Sequence, residues 1–240
     1  MNYFVGKVGD APARPLDAWA GHSGGYSASS LVDHERGSVH TWLGLNRLEP
    51  GGRLDSHFHS YEEGVYILEG EVLVGLEGNS YLLRPGDYAV FPIGLPHAWR
   101  NAGSASVQWL DMLSPQPRQP DRESDLFFSG EGAPDSGAAP NLRDPSARFL
   151  GHFSPDQLPP PSGPPMGGVG SGDIQGVSIK MMIDRALGAE HMTMFIVRLQ
   201  PGGQVTIHDH PLEESYFLLS GECEIVFNDK SHMLKPGDVG

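Results

Sequence analysis

Two histidines and a glutamate stand close together in the first half of this 240-residue chain, and a third histidine follows further along. His57 and His59 are two residues apart, so both imidazoles project from the same face if they lie on a β-strand. After a bend, the returning chain can bring the Glu63 carboxylate beside them, and a later stretch supplies His97. Three imidazoles and one carboxylate suit a divalent transition metal, with iron, manganese or nickel favoured and zinc or copper acceptable. The spacing therefore predicts a metal site at these four residues.

The elements that must position these side chains are short β-strands. The chain contains 32 glycines and 21 prolines, which separate short stretches of β-branched, aromatic and aliphatic residues. No segment keeps a 3.6-residue hydrophobic period for three turns, so an all-β protein is predicted, with turns at 50–52, 69–70, 77–79 and 85–87. The predicted strands are Trp42–Leu48, Glu63–Leu68, Glu71–Leu76, Ser80–Leu83, Tyr88–Phe91 and Ser106–Leu110.

The chain also contains an internal repeat. Residues 31–89 align without a gap to residues 182–240, and 20 of the 59 aligned positions are identical. A duplication of this kind predicts two units of the same topology. We expect an N-terminal unit over 1–113, a connector rich in proline, glycine and serine over 114–146, and a C-terminal unit over 147–240.

The repeat predicts a second metal site. His208, His210 and Glu214 have the spacing of the first group, whereas the position equivalent to His97 would be 248, beyond the last residue of this sequence. Three protein ligands can hold a metal in an open site. A three-ligand site is therefore expected in the second unit, whose barrel is predicted to be incomplete.

Two motifs in the sequence resemble the two signatures of the cupin superfamily. The first motif is PGGRLDSHFHSYEEGVYILEG and the second is GDYAVFPIGLPHAWRN; the second unit repeats the first as PGGQVTIHDHPLEESYFLLSG and stops within its second motif at PGDVG. The resemblance implies a bicupin of the metal-dependent, quercetinase-like type, with two double-stranded β-helix (jelly-roll) barrels, the second incomplete. It also implies that His57, His59, Glu63 and His97 are the metal ligands.

Strand parity predicts what surrounds the site. If Glu63 faces the metal, so do Val65 and Ile67, and His97 brings Trp99 to the same face, which gives a mainly apolar substrate pocket. By the same parity Glu62, and Glu213 in the second unit, point to the opposite side and are expected to be solvated, with a contact to a histidine N–H as the alternative.

Composition and charge narrow the classes of partner. With 30 acidic against 16 basic residues, the formal net charge is −14, which repels nucleic acids and anionic membrane surfaces. There is no run of eighteen apolar residues and no signal-peptide-like stretch at the start, and the single cysteine, Cys223, excludes an intramolecular disulfide. We expect a cytoplasmic protein that acts on a small molecule, without nucleic acid or membrane partners; homo-oligomerisation stays open.

The predicted site favours a metal-dependent dioxygenase acting on a small chelating organic substrate. Four protein ligands on an octahedral metal leave two positions for substrate and dioxygen, and Glu63 is the expected catalytic base. Two alternatives remain at this point. One is a metal-dependent hydrolase, decarboxylase or isomerase, and the other is a non-enzymatic bicupin that binds a small molecule, since a fold does not fix a function.

Overall fold

The computed structural model describes residues 3–118, 125–130, 132, 134–161, 174–208 and 211–240. In these ranges the chain forms β-strands and short 3-10 turns without an α-helix, as the sequence predicts, and no helix there is long and apolar enough to cross a lipid bilayer. In chain order the strands are β1 (Gly6–Lys7), β2 (Ser23–Val32), β3 (Trp42–His59), β4 (Glu62–Glu69), β5 (Val72–Leu76), β6 (Asn79–Leu83), β7 (Asp87–Phe91), β8 (His97–Arg100), β9 (Val107–Ser114), β10 (Leu126–Phe128), β11 (Leu150–His152), β12 (Ile174–Ile183), β13 (Met194–Val205), β14 (Cys223–Phe227), β15 (Lys230–Leu234) and β16 (Asp238–Val239).

Strand β3 is the centre of a curled ten-stranded sheet. It pairs with β2, β8, β9 and β10, and the main path through the sheet runs β11-β7-β4-β9-β3-β8-β5-β6. Alternate residues face inward; on β9 the buried positions include Val107, Trp109, Asp111 and Leu113, with half-buried residues between them. The inward side chains form one large core, and the architecture is the predicted all-β jelly roll.

All the predicted strands are present, but the turn predicted at residues 50–52 is wrong. These residues lie inside β3, which runs unbroken for 18 residues. The Gly51 N–H donates to the Asn101 carbonyl, and the Asn101 N–H donates to the Gly52 carbonyl, both at 2.9 Å. Gly51 has a φ of 74°, which glycine adopts without steric cost. The chain therefore bends there without leaving the sheet.

The two halves of the chain exchange short strands. From the second half, β11 adds to the first sheet by pairing with β7, and His152 lies 2.7 Å from the Asp87 carboxylate. From the first half, β1 pairs with β16, so that Gly6 lies opposite Val239. Tyr88 and Val239 occupy equivalent positions in the repeat. Each lies opposite a glycine of the other half in the strand register, Gly151 for Tyr88 and Gly6 for Val239. The exchange is thus reciprocal.

One glutamate of each half contacts a loop of the other half, and this corrects the expectation that Glu62 is solvated. Glu62 is only 2% exposed and accepts hydrogen bonds from the backbone N–H groups of Glu190 (2.6 Å) and His191 (2.7 Å). Its repeat equivalent Glu213 is more exposed, but it accepts from the N–H groups of His40 (2.7 Å) and Thr41 (2.9 Å), among others. Strand parity gave the direction of the Glu62 side chain correctly, but the expected solvation is wrong because the other half covers that side. Glu213 is exposed, as expected.

The segment between the repeats packs on the first sheet where the structure describes it. Strand β10 pairs with β3, placing Phe128 opposite His57 and Leu126 opposite His59. The Tyr81 hydroxyl donates to the Ser146 carbonyl at 2.7 Å. The second half contributes two hairpins, β12–β13 and β14–β15. The boundaries at 113 and 146 stay a prediction.

Candidate metal centre

Three strands of the ten-stranded sheet bring the predicted ligands of the first half together. His57 and His59 lie at the end of β3, and Glu63 is the second residue of β4. His97 begins β8, where it lies directly opposite His57 in the sheet register. All four are buried, with 1–7% of their surface exposed. One potential ligand atom from each residue lies within 4.8 Å of the others. The sheet thus gathers three imidazoles and a carboxylate around one point.

The backbone fixes the orientation of each imidazole. Every histidine of the group has its Nδ1 within hydrogen-bonding distance of a carbonyl two residues away in the chain. The pairs are His57 with Asp55 (2.9 Å), His59 with Tyr61 (2.6 Å) and His97 with Leu95 (3.0 Å). Because a carbonyl can only accept, each Nδ1 carries the proton and donates it. The Nε2 atom is then left as the metal-binding nitrogen.

This arrangement places acceptor atoms against acceptor atoms. The Nε2 atoms of His59 and His97 lie 2.9 and 3.0 Å from Oε2 of Glu63. With Nδ1 already protonated, such a contact is attractive only if Nε2 carries a second proton or if a cation lies between the groups. A divalent metal would replace those protons and satisfy all four ligands, so the residues fit the predicted metal.

The electrostatics of the group favour metal-binding protonation states. Burial, with a smaller contribution from His97, holds the pKa of His57 well below its usual range. Burial alone would raise the pKa of Glu63, but hydrogen bonds with His59 and His97 outweigh it and hold that pKa well below the usual range. A neutral imidazole and an ionised carboxylate are the forms that bind a metal.

A cavity of about 20 Å³ adjoins the cluster. This volume is enough for one water-sized group. Its lining residues are Trp19, Tyr26, Asn46, Leu54, His57, His59, Tyr61, Glu63, Trp99, Trp109, Asp111 and Leu113.

The pocket residues predicted by parity are only partly at this cavity. Trp99 lines it, whereas Val65 and Ile67 are fully buried in the same core without lining it. On the adjacent strand β9, their register partners Asp111 and Trp109 face the cavity instead. Two of the three predicted pocket residues are therefore not among those that line the described cavity.

Sequence reasoning missed a polar part of the wall. The Tyr26 hydroxyl donates to Oδ1 of Asn46 at 2.9 Å, and the Asn46 amide donates to Oδ2 of Asp111 at 2.8 Å. All three side chains are buried. Asp111 could have been found from the alternation on its strand, because it is a charged residue at an inward position between Trp109 and Leu113. The cavity is thus more polar than predicted.

In the second half, the described residues do not assemble an equivalent cluster. His208 is exposed and its Nδ1 contacts the Thr206 carbonyl at 2.9 Å, while Glu214 accepts a hydrogen bond from the Tyr216 hydroxyl at 2.8 Å. His210 lies outside the described residues. Within the described ranges, the one group of at least three potential ligands is that of the first half. The second metal site stays a prediction.

Comparisons with known proteins agree with this geometry. The family model described as "Cupin domain" matches residues 44–113 and 195–239, one segment in each half. Polyketide synthase CurC of Streptomyces cyaneus is 34% identical over 98 residues, which are 40% of this chain and 64% of that protein. Protein SchB of Streptomyces halstedii is 30% identical over 99 residues, covering 41% of this chain and 72% of that protein.

A shorter stretch resembles a known oxygenase. Quercetin 2,3-dioxygenase of Bacillus subtilis (strain 168) is 43% identical over 54 residues, which are 21% of this chain and 16% of that enzyme. The chain thus spans under two thirds of CurC and a small part of the dioxygenase. Oxalate decarboxylase of Lactobacillus farciminis superposes over all of this chain and 79% of its own, with a TM-score of 0.63 and 19% identity, which shows a shared fold.

Proposed function

The chain belongs to the cupin superfamily, and from that premise we propose that its first half is a metal-dependent dioxygenase for a small chelating organic substrate. The observation that carries the proposal is the convergence of three oriented Nε2 atoms and one carboxylate in a buried site. The stretch that is 43% identical to the quercetin dioxygenase supports it further.

His57, His59, Glu63 and His97 would hold the metal. A bound iron, manganese or nickel ion would supply Lewis-acid activation of a chelating substrate and a position for dioxygen. Both oxygen atoms of O₂ enter the substrate in such a reaction, and the substrate supplies all four electrons. No external reductant is therefore needed.

The protein's own contribution is proton transfer and exclusion of water. Glu63, only 7% exposed, would accept the proton of the substrate hydroxyl as that oxygen becomes an enolate or phenolate. Trp19 packs edge-on against His57, with 4.4 Å between the ring centroids, and both line the cavity. Its indole helps to keep bulk water from the reacting atoms.

Trp19 also limits the size of the substrate in the described conformation. The cavity of about 20 Å³ accommodates a single small group, so a ring-sized substrate requires a lining side chain to move. Trp19 lies in a 3-10 turn (Asp17–Trp19) outside the sheet, and it is therefore less constrained than Trp99 or Trp109, which lie on strands.

An oxygen-electrode assay tests the proposal. Protein reconstituted separately with iron, manganese and nickel would be screened with flavonols, β-diketones and catechols. We expect oxygen uptake with at least one combination, loss of this uptake in His57→Ala, and wild-type uptake in His34→Ala, which removes an exposed histidine far along the chain from the ligands. No uptake with any combination, or uptake that survives His57→Ala, would refute it.

The second candidate is a metal-dependent hydrolase, decarboxylase or isomerase, which the additional carboxylate of Asp111 in the cavity favours as a second acid–base group. A dicarboxylate substrate fits poorly, because no lysine or arginine is among the lining residues, and Arg53 and Arg100 pair with Asp55 and Asp135. Turnover of an acid or amide under strict anaerobiosis would distinguish this candidate from the oxygenase.

A protein that binds a small molecule without catalysis is the third outcome. Tight binding of a small molecule without formation of any product would indicate it.

A further inference from the structure

A second cavity lies between the two halves, away from the metal cluster. Its volume is about 220 Å³, and its lining residues are Arg84, Asp87, Ala139, Pro140, Leu142 and His152. None of these residues lines the cavity beside the cluster. Phe91 of β7 lies opposite Glu63, and Asp87 is four residues before Phe91, a distance of about 13 Å along the strand. The second cavity is therefore separate from the metal site.

Backbone hydrogen bonds hold the walls of this cavity. On one side the Leu82 N–H donates to the Ala138 carbonyl, which fixes the segment 138–142 beside β6. On the other side the Phe153 N–H donates to the Gly86 carbonyl; both distances are 2.8 Å. Leu142 lines the cavity and is 46% exposed. The cavity is thus formed before any ligand binds, and one of its sides is apolar.

Asp87 divides its carboxylate oxygens between a turn and a histidine. Oδ2 accepts from the Arg84 N–H at 2.8 Å, which closes the turn before β7, and Oδ1 lies 2.7 Å from Nδ1 of His152. The repeat shows that the turn does not require the histidine, because the equivalent Asp238 accepts from the Lys235 N–H at 2.8 Å in the same way. The contact between Asp87 and His152 is therefore an additional feature of the first half.

This arrangement leaves two cationic donors for a ligand. An ionised carboxylate only accepts, so Nδ1 of His152 donates to Asp87, and Nε2 remains for a group in the cavity. The Arg84 guanidinium has no ion pair or hydrogen bond within the described ranges, whereas Arg36 and Arg118 each pair with an aspartate. When His152 is protonated, Asp87 balances its charge and Arg84 makes the cavity net positive.

We propose that Arg84 and His152 bind the carboxylate group of a small organic acid, while Asp87 orients His152. The planar guanidinium matches a carboxylate, and the protonated imidazole donates to it through Nε2. The apolar side at Leu142 accommodates the short hydrocarbon part of the acid. Because the formal net charge of the chain is −14, an anion gains no general attraction from this protein and needs such a local site.

An NMR titration of the full chain tests the proposal. It is done at pH 6, because Nε2 donates only from a protonated imidazole. The probes are acetate, butanoate, the uncharged butanamide and inorganic phosphate, and the Cε1–H signal of His152, assigned with His152→Gln, reports on the site. We expect butanoate to shift this signal and to bind about fourfold more tightly than acetate, because part of its hydrocarbon chain leaves water. Butanamide should not shift it.

A pair of arginine variants supplies the control. Arg84→Gln removes an exposed charge but keeps the turn, which uses the backbone N–H of that residue. It should weaken butanoate binding about tenfold at unchanged Tm. Arg143→Gln, an exposed arginine that does not line the cavity, should bind as wild type does.

Four results would overturn the proposal. They are a His152 signal that butanoate does not move, a response confined to the histidines of the metal cluster, wild-type affinity in Arg84→Gln, and tighter binding of phosphate than of butanoate. None of these measurements depends on oxygen uptake or on a bound metal. The carboxylate site and the proposed oxygenase activity therefore stand or fall separately.

Discussion

The buried carboxylate of Glu62 offers a direct test of how the two halves hold together. Glu62→Gln keeps the shape of the side chain but replaces one accepting oxygen by an NH₂ group. Glu62 accepts from two backbone N–H groups of the other half, at 2.6 and 2.7 Å, so one of these N–H groups would face a donor. Hydrogen bonds to a charged group contribute about 1.5–3 kcal/mol each, and we expect a loss of about 2–3 kcal/mol in the free energy of unfolding.

The assay is thermal unfolding of metal-free protein, where this loss corresponds to a decrease in Tm of roughly 4–10 °C. Glu213→Gln is the matched comparison, because Glu213 makes the equivalent contact from a more exposed position, so its loss should be smaller, about 1 kcal/mol. Metal content should be unchanged in both variants, since neither residue belongs to the cluster. A Tm for Glu62→Gln within 1 °C of wild type, or above that of Glu213→Gln, would refute the reasoning.

Three further predictions concern separate groups. The Arg118 guanidinium, helped by Ser60, lowers the pKa of Asp125 from 3.8 to about 2, so the stability that Asp125 contributes is present above pH 3.8 and is lost as the pH falls through about 2. Asp125→Asn should therefore be about 2 kcal/mol less stable than wild type at pH 7, with the gap closing near pH 2 in urea unfolding; a gap independent of pH would contradict this. Zinc added to metal-free protein should raise its Tm, because the ion binds only the folded state, and this rise should be absent in His97→Ala; an equal rise in both proteins would contradict the four-residue site. Trp19→Phe should lower KM for a bulky flavonol relative to catechol, while an unchanged ratio would show that Trp19 does not limit access.

The architecture and the shared direction of His57 and His59 could be predicted because both depend on local pattern. A period of two fixes which side chains face inward, and a His-x-His pair on a strand places both imidazoles on one side. His97 is 34 residues after Glu63, yet the second motif that contains it was enough to place it in the group. The family resemblance supplied that long-range pairing, which strand periodicity alone does not give.

What could not be predicted depends on contacts between distant segments. Glu62 faces outward from its own sheet, as parity indicates, but a loop of the other half covers it. Val65 and Ile67 were predicted to line the pocket, but they are buried in the core, and the adjacent strand presents Trp109 and Asp111 to the cavity. In both cases the alternation along the strand determines the direction of the side chain. The residues that it contacts depend on the order of the strands and on packing between the two halves.

The second half shows which part of a metal site a short motif encodes. His208 repeats the contact of His57, with its Nδ1 2.9 Å from the carbonyl of the residue two positions earlier. The orientation of this imidazole is thus set within its own segment. The convergence of several ligands on one point has a different origin. In the first half, β8 places His97 opposite His57. Strand β4 brings the Glu63 carboxylate to within 3.0 Å of the imidazoles of His59 and His97. Metal affinity should therefore follow the pairing of neighbouring strands more closely than the presence of the motif itself.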